Sequence, residues 1–179
     1  MALDLLEALR RRKPEYVLLD AAQDPAILPL LAQDKAEWRS LYEGQSAVKL
    51  ASQAPYIAAA AQSPEFLDEI VTNGWGRSWC VFVCSHASLD EVRRHFRSLL
   101  YVKNSRGEQV YFRFYDPRIL RAYLPTCTAG ELEQFFGPVK QFIVEGDEEE
   151  ELYALALEAG KLTSRQGTVS FTCPKDHGS

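Results

Sequence analysis

The chain is poor in the residue patterns that usually announce chemistry. Its 179 residues include three histidines and four cysteines, and none falls at metal-ligand spacing. Cys80 and Cys84 lie on a stretch that reads as a strand. At about 3.3 Å of rise per residue they stand roughly 13 Å apart, too far for a disulfide or a shared ion. With His86, His95, His177, Cys127 and Cys173 scattered elsewhere, no zinc pattern forms and no cofactor is expected. A glycine-rich phosphate loop is also missing. Gly74-Trp75-Gly76 sets an indole between its glycines and precedes a strand, so it reads as a tight turn packed by that indole. Serine-nucleophile elbows and helical HExxH motifs are absent.

Positive charge is lacking too. A net charge of −5 and a pI near 5.3, with arginines interleaved among acids, argue against nucleic-acid binding, which needs Lys and Arg gathered on one face. No run approaches the ~20 apolar residues that span a bilayer, so no membrane partner is expected. Asp4 and Glu7 interrupt the segment where a secretory signal would require an uncharged core, and the expected location is the cytoplasm. The composition is 46% apolar, enough for one well-formed core, and the chain shows neither internal repeat nor low-complexity linker: one domain is expected.

The chain does carry a concentrated signal at Val110–Pro125, VYFRFYDPRILRAYLP. Alternation places Val110, Phe112 and Phe114 on one face and Tyr111, Arg113 and Tyr115 on the other, which predicts an inner strand. Asp116 then stands at an N-cap position, with Pro117 at the first helical position, so a helix should run to about Tyr123. Arg113 and Arg118 flank Asp116 closely enough for a local ion pair that holds the junction together; the alternative is that they face a partner.

Around this segment, Met1–Lys13 reads as an amphipathic helix (1–14), with Leu3, Leu6 and Leu9 at helical spacing and a Glu7–Arg11 pair. Tyr16–Ala22, Trp38–Tyr42, Ala54–Ala60 and Ser78–Ser85 read as strands, the second also compatible with a turn of helix ended by Gly44. Asp24-Pro25 and Ser63-Pro64 open helices. Ser88 with Glu91, and Thr128 with Glu131, form capping boxes. The first precedes a stripe of Leu89, Val92, Phe96, Leu99 and Leu100 that leaves Arg93, Arg94 and Arg97 outside. Tyr101–Lys103 should pair with Val110–Tyr115 across a turn at Asn104–Gly107. Gln141–Val144 reads as the last strand, the acidic run Glu145–Glu151 as a solvated loop or helix start, Glu149–Ala159 as a final helix and Thr163–Ser179 as a polar tail. The expected fold is a single α/β domain, a mixed β-sheet flanked by helices, over residues 15–145, with an acidic helix and polar tail over 146–179.

The order of these signals, namely YVLLDAA, WRSLYEG, APYI, GWGRSW, RRHFRSLL, FRFYDPR and FFGPV, resembles the DUF4123 family, adaptor proteins of the bacterial type VI secretion system. The resemblance spans Tyr16 to about Val144, and FRFYDPR with the downstream FFGP is its most specific part. It implies a non-enzymatic cytoplasmic adaptor or chaperone that binds a cognate toxic effector and helps load it on the VgrG spike. Many members carry an extra C-terminal lobe after FFGP, where about forty residues follow here. Recognition of this kind uses aromatic and arginine anchors, and the partner-binding candidates are Arg93, Arg97, Arg113, Tyr115, Asp116 and Arg118. Two other readings stand beside it: a small hydrolase using Asp116 or the Cys84/His86 region, and a spike-binding component with no effector of its own.

Overall fold

The computed structural model describes residues 3–170. In chain order the elements are β1 (Leu3–Asp4), α1 (Leu5–Arg12), β2 (Tyr16–Asp20), α2 (Ile27–Gln33), β3 (Trp38–Ser40), α3 (Gly44–Lys49), β4 (Pro55–Ala58), α4 (Pro64–Gly74), β5 (Cys80–Cys84) and α5 (Leu89–Leu99). They continue with β6 (Tyr101–Lys103), β7 (Gln109–Tyr111), α6 (Pro117–Tyr123), α7 (Ala129–Phe136), β8 (Gln141–Glu145), β9 (Glu151–Glu158) and β10 (Lys161–Ser170). Eight strands form one sheet in the order β1-β10-β9-β8-β5-β2-β4-β3, and β6 and β7 make a separate two-stranded ribbon. The sheet is mixed only at one margin: β1 joins β10 in parallel, and every other pairing is antiparallel.

Both faces of the sheet are covered, so its central strands are apolar on alternate residues toward two cores. Val17, Leu19, Phe82 and Ile143 pack against α1, α2 and α4. Leu18, Val81, Val83, Phe142 and Val144 pack against α5, α6 and α7. Residues from the two most specific sequence runs meet inside the second core. Phe114 lies 5.5 Å from Phe96 and 5.9 Å from Phe135, and Phe136 lies 5.2 Å from Phe142, ring centre to ring centre. Each such pair contributes about 0.5–1.5 kcal/mol beyond its buried area.

Local chemistry sets the helix starts. Both capping boxes are present, Ser88 with Glu91 and Thr128 with Glu131. Ser63 accepts from the Phe66 amide ahead of Pro64, and Asp116 accepts from the Arg118 amide ahead of Pro117. Asp24 accepts from the Ala26 amide at 2.8 Å, so α2 begins two residues after Pro25. Gly44 opens α3 instead of closing the preceding segment.

Three expectations need correction. Val110–Tyr115 is not an inner strand: pairing stops at Tyr111, and Phe114 and Tyr115, adjacent in sequence, are both buried in the same core, which a flat strand cannot achieve. Glu149–Ala159 is not a helix. Glu151–Glu158 is a strand, paired on one side with β8 and on the other with β10. Thr163–Ser170 is likewise no polar tail but part of β10; residues 171–179 lie outside the described residues. Of the segment expected as an acidic helix and tail over 146–179, residues 151–170 therefore extend the sheet as a hairpin, turned by Ala159 and Gly160, both with positive φ.

Candidate docking surface

The six arginine, tyrosine and aspartate candidates fall into two groups. Arg93 and Arg97 sit one turn apart on α5 and reach across to the segment between β3 and α3. Arg93 Nε donates to the Ser40 carbonyl at 2.8 Å and Arg97 Nε to the Leu41 carbonyl at 3.0 Å. Both guanidiniums also meet the Glu43 carboxylate, that of Arg93 at 3.2 Å. These contacts satisfy carbonyls that have no sheet partner there, and fix the stretch leading into α3 against α5.

The second group stands at the junction before α6, but its pairing differs from a simple Arg113–Asp116 bridge. Arg113 is an ion-pair partner of Asp20, at the end of β2. The Asp20 carboxylate, fully buried, also accepts from the Ala22 amide and from Gln23 Nε2, both at 3.1 Å. Asp116 is held by Arg118 instead, through Nη2 at 2.7 Å and Nε at 3.0 Å. Burial alone would raise the Asp116 carboxyl; the Arg118 side chain and amide outweigh it and keep it below the usual range. Arg113 and Arg118 keep 40% and 59% of their side chains exposed, whereas Tyr115 and Asp116 are buried and act only through what they hold in place.

A chain of hydroxyls links the two groups. Tyr42 donates to Tyr111 at 2.8 Å, and Tyr111 meets Tyr115 at 2.9 Å. Burial pushes the Tyr115 phenol up to about 12, and burial with hydroxyl contacts on both sides raises Tyr111 further. These phenols serve as hydrogen-bonding groups, not proton donors to solvent.

Over this chain lies a groove of about 410 Å³ between α3 and the ribbon, lined by Leu41, Tyr42, Glu43, Ser46, Leu50, Arg97, Leu100, Tyr101 and Tyr111. Sequence reasoning missed it, although Leu50 and Tyr101 are 42% and 54% exposed beside it. Their signal was an apolar residue on each of two short polar elements with no inward face to serve. The groove's charged lining is one cation, Arg97, and one acid, Glu43, which pair with each other. Exposed aromatic and aliphatic side chains with one arginine among them are the composition of a protein-docking patch.

The hydrolase candidates are arranged differently. Cys84 Sγ contacts the Arg12 carbonyl at 3.7 Å, and His86 Nδ1 faces Glu15 at 3.8 Å. Burial, reinforced by Glu15, pushes the Cys84 thiol up to about 11, away from the thiolate a nucleophile needs. The Trp75 turn serves a structural purpose. Its indole Nε1 donates to the Glu149 carbonyl at 2.8 Å, and the amides of Gly76 and Ser78 donate to Glu145 at 2.7 and 2.8 Å. Glu145, expected in a solvated run, is buried, and burial raises its carboxyl despite those two amides. Among the described residues, no group of three or more His, Cys, Asp or Glu is placed to hold a metal ion, and no helix is long and apolar enough to cross a membrane.

Fold and surface together define an α/β domain with an aromatic groove between α3 and the β6–β7 ribbon. The model of the family described as "Domain of unknown function (DUF4123)" matches residues 15–134, and the chain belongs to that family. No curated protein and no solved structure matches it.

Proposed function

We propose that this protein is a non-enzymatic cytoplasmic adaptor that binds a cognate type VI effector toxin and promotes its loading on the VgrG spike. The observation that carries the reading is the exposed aromatic groove inside the segment that matches DUF4123. A partner side chain seated there would cover Leu50, Tyr101 and Tyr111, while Arg97 and Glu43 at its floor set orientation. Aromatic anchors lose little conformational entropy on binding, and such positions carry most of the affinity in protein interfaces. Arg113 and Arg118, with their guanidiniums partly in solvent, can add bidentate contacts to partner carboxylates.

The test is co-expression with the toxin and the spike encoded beside this chain, followed by affinity capture and size exclusion. A stable complex with the toxin, weakened at least tenfold by Tyr101→Ser with Leu50→Ser, is the expected result. Failure to hold either partner, with both shown to be folded, overturns the reading. Binding of the spike alone points to an apparatus component with no effector of its own.

A further inference from the structure

The sheet ends on one side at β10, and most of that edge is open. β1 covers only Val169 and Ser170. Hairpin register fixes which backbone groups point outward. Glu158 and Lys161 close a two-residue turn, so odd-numbered residues of β10 bond to β9. The N–H and C=O groups of Leu162, Ser164 and Gln166 therefore face away from β9, while the outward groups near Val169 meet β1. Among the described residues these groups have no strand partner, and they span roughly 13 Å of strand, an open edge of the kind that proteins usually shorten or cover.

Two further features lie along this edge. A cavity of about 260 Å³ opens beside it, lined by Leu155 and Tyr153 of β9, Leu162 and Ser164 of β10, and Arg121 and Pro125. Arg121 Nε is a buried donor with no acceptor. On the opposite face, Lys161 and Arg165 project from β10, and among the described residues Glu158 is the acid that opposes them. A two-fold pairing of β10 with a second copy of itself would bring the Lys161 and Arg165 side chains of both copies onto one face of the new sheet, where like charges in register repel. The edge instead suits a strand of different sequence, with acids on one face and an apolar side chain on the other.

We propose that β10 is a strand-addition site that takes an extended, acidic segment of the toxin into the sheet, one apolar side chain of that segment filling the cavity by Leu155 and Leu162. This rests on the adaptor reading and deepens it. The family model ends at residue 134, so β9 and β10 lie outside what it describes. An element outside the family segment suits contacts particular to one toxin, beside those that the groove within the segment makes. Main-chain hydrogen bonds supply affinity in such additions, and alternate side chains supply selectivity.

The test uses the full chain and the purified toxin. Ser164→Pro removes an outward N–H while leaving the β9 ladder intact, and should weaken toxin binding at least tenfold; Ser164→Ala, which keeps the backbone donor, should change it less than twofold. Lys161→Glu with Arg165→Glu gives an independent readout that does not depend on tolerance of proline, and should also cost at least tenfold. Hydrogen exchange should show the amides of residues 162, 164 and 166 protected only in the complex. A toxin complex that forms with these amides still exchanging, and with the charge-reversed variant binding normally, overturns the strand-addition proposal while the adaptor reading stands. A dimer of this chain that Ser164→Pro dissociates, with toxin binding unaffected, also overturns it. Absence of any toxin complex, with both proteins folded, overturns both.

Discussion

Arg113→Ala should destabilise the fold substantially, although Arg113 sits in a loop and partly in solvent. Its partner Asp20 is fully buried, and the other groups that donate to that carboxylate are one amide and one neutral side chain. Removing one member of a buried ion pair costs about 3–5 kcal/mol, because the remaining charge stays desolvated without compensation. The Arg113 side chain is 40% exposed, so water recovers part of the loss and we expect about 2–3 kcal/mol. For a domain of this size that lowers Tm by roughly 5–10 °C. The exposed Arg165–Glu158 pair is the control: Arg165→Ala should change stability by less than about 0.5 kcal/mol. Urea unfolding of both variants, with Asp20→Asn and the Asp20→Asn/Arg113→Ala double variant completing a cycle, measures the coupling directly. A loss under 0.5 kcal/mol for Arg113→Ala, or a coupling near zero, would refute the reasoning. If toxin binding falls in step with stability, Arg113 holds the junction; if binding falls and stability does not, Arg113 touches the partner.

Other outcomes follow from the same structure. Gly137 ends α7 at φ 48°, and a Cβ there would run into the His95 ring, so Gly137→Ala should cost about 2 kcal/mol or more by chemical denaturation. Glu145 has its folded-state carboxyl raised above the ordinary 4.5. The fold thus binds its proton more tightly than the unfolded chain, and this contribution is complete below 4.5 and lost as pH rises through the folded value. Glu145→Gln should remove that downward slope from a series of urea midpoints, while adding a pH-independent cost of about 1–3 kcal/mol because one of the two amide donors loses its acceptor. Cys84, its thiol at about 11, should alkylate far more slowly at neutral pH than an unperturbed thiol, read site by site by mass spectrometry; rapid modification would show a thiolate the structure does not support.

Helix starts were legible because they depend on neighbours in sequence. Ser63, Ser88, Asp116 and Thr128 all cap where their spacing to proline or glutamate says they should. The strands β2, β4, β5 and β8 were readable as compact apolar runs. The terminal hairpin was not, for two reasons. Glu151–Glu158 is built from Glu, Leu and Ala, which favour helix locally, and Leu152 and Leu155 are buried toward opposite cores, so period-2 alternation is erased. Thr163–Ser179 reads as a polar tail because its described part, to Ser170, belongs to a strand near the sheet edge whose side chains face solvent along most of its length. Tertiary pairing decided both.

The candidate site was half legible. The residue types were right for α5 and the Asp116 junction, yet the partners were long-range and invisible. Arg113 reaches Asp20 across 93 positions, and Arg97 bonds the Leu41 carbonyl across 56. The groove arises where α3, α5 and the ribbon converge, and no single stretch of sequence contains it.

The most direct measurement is a three-component reconstitution of this chain, the toxin and the spike, scoring the fraction of toxin that co-elutes with spike. The adaptor account predicts toxin on the spike only when this chain is present, and loss of that loading when Leu50 and Tyr101 are replaced by serine. Equal loading with and without the chain, all three components being folded, would contradict it.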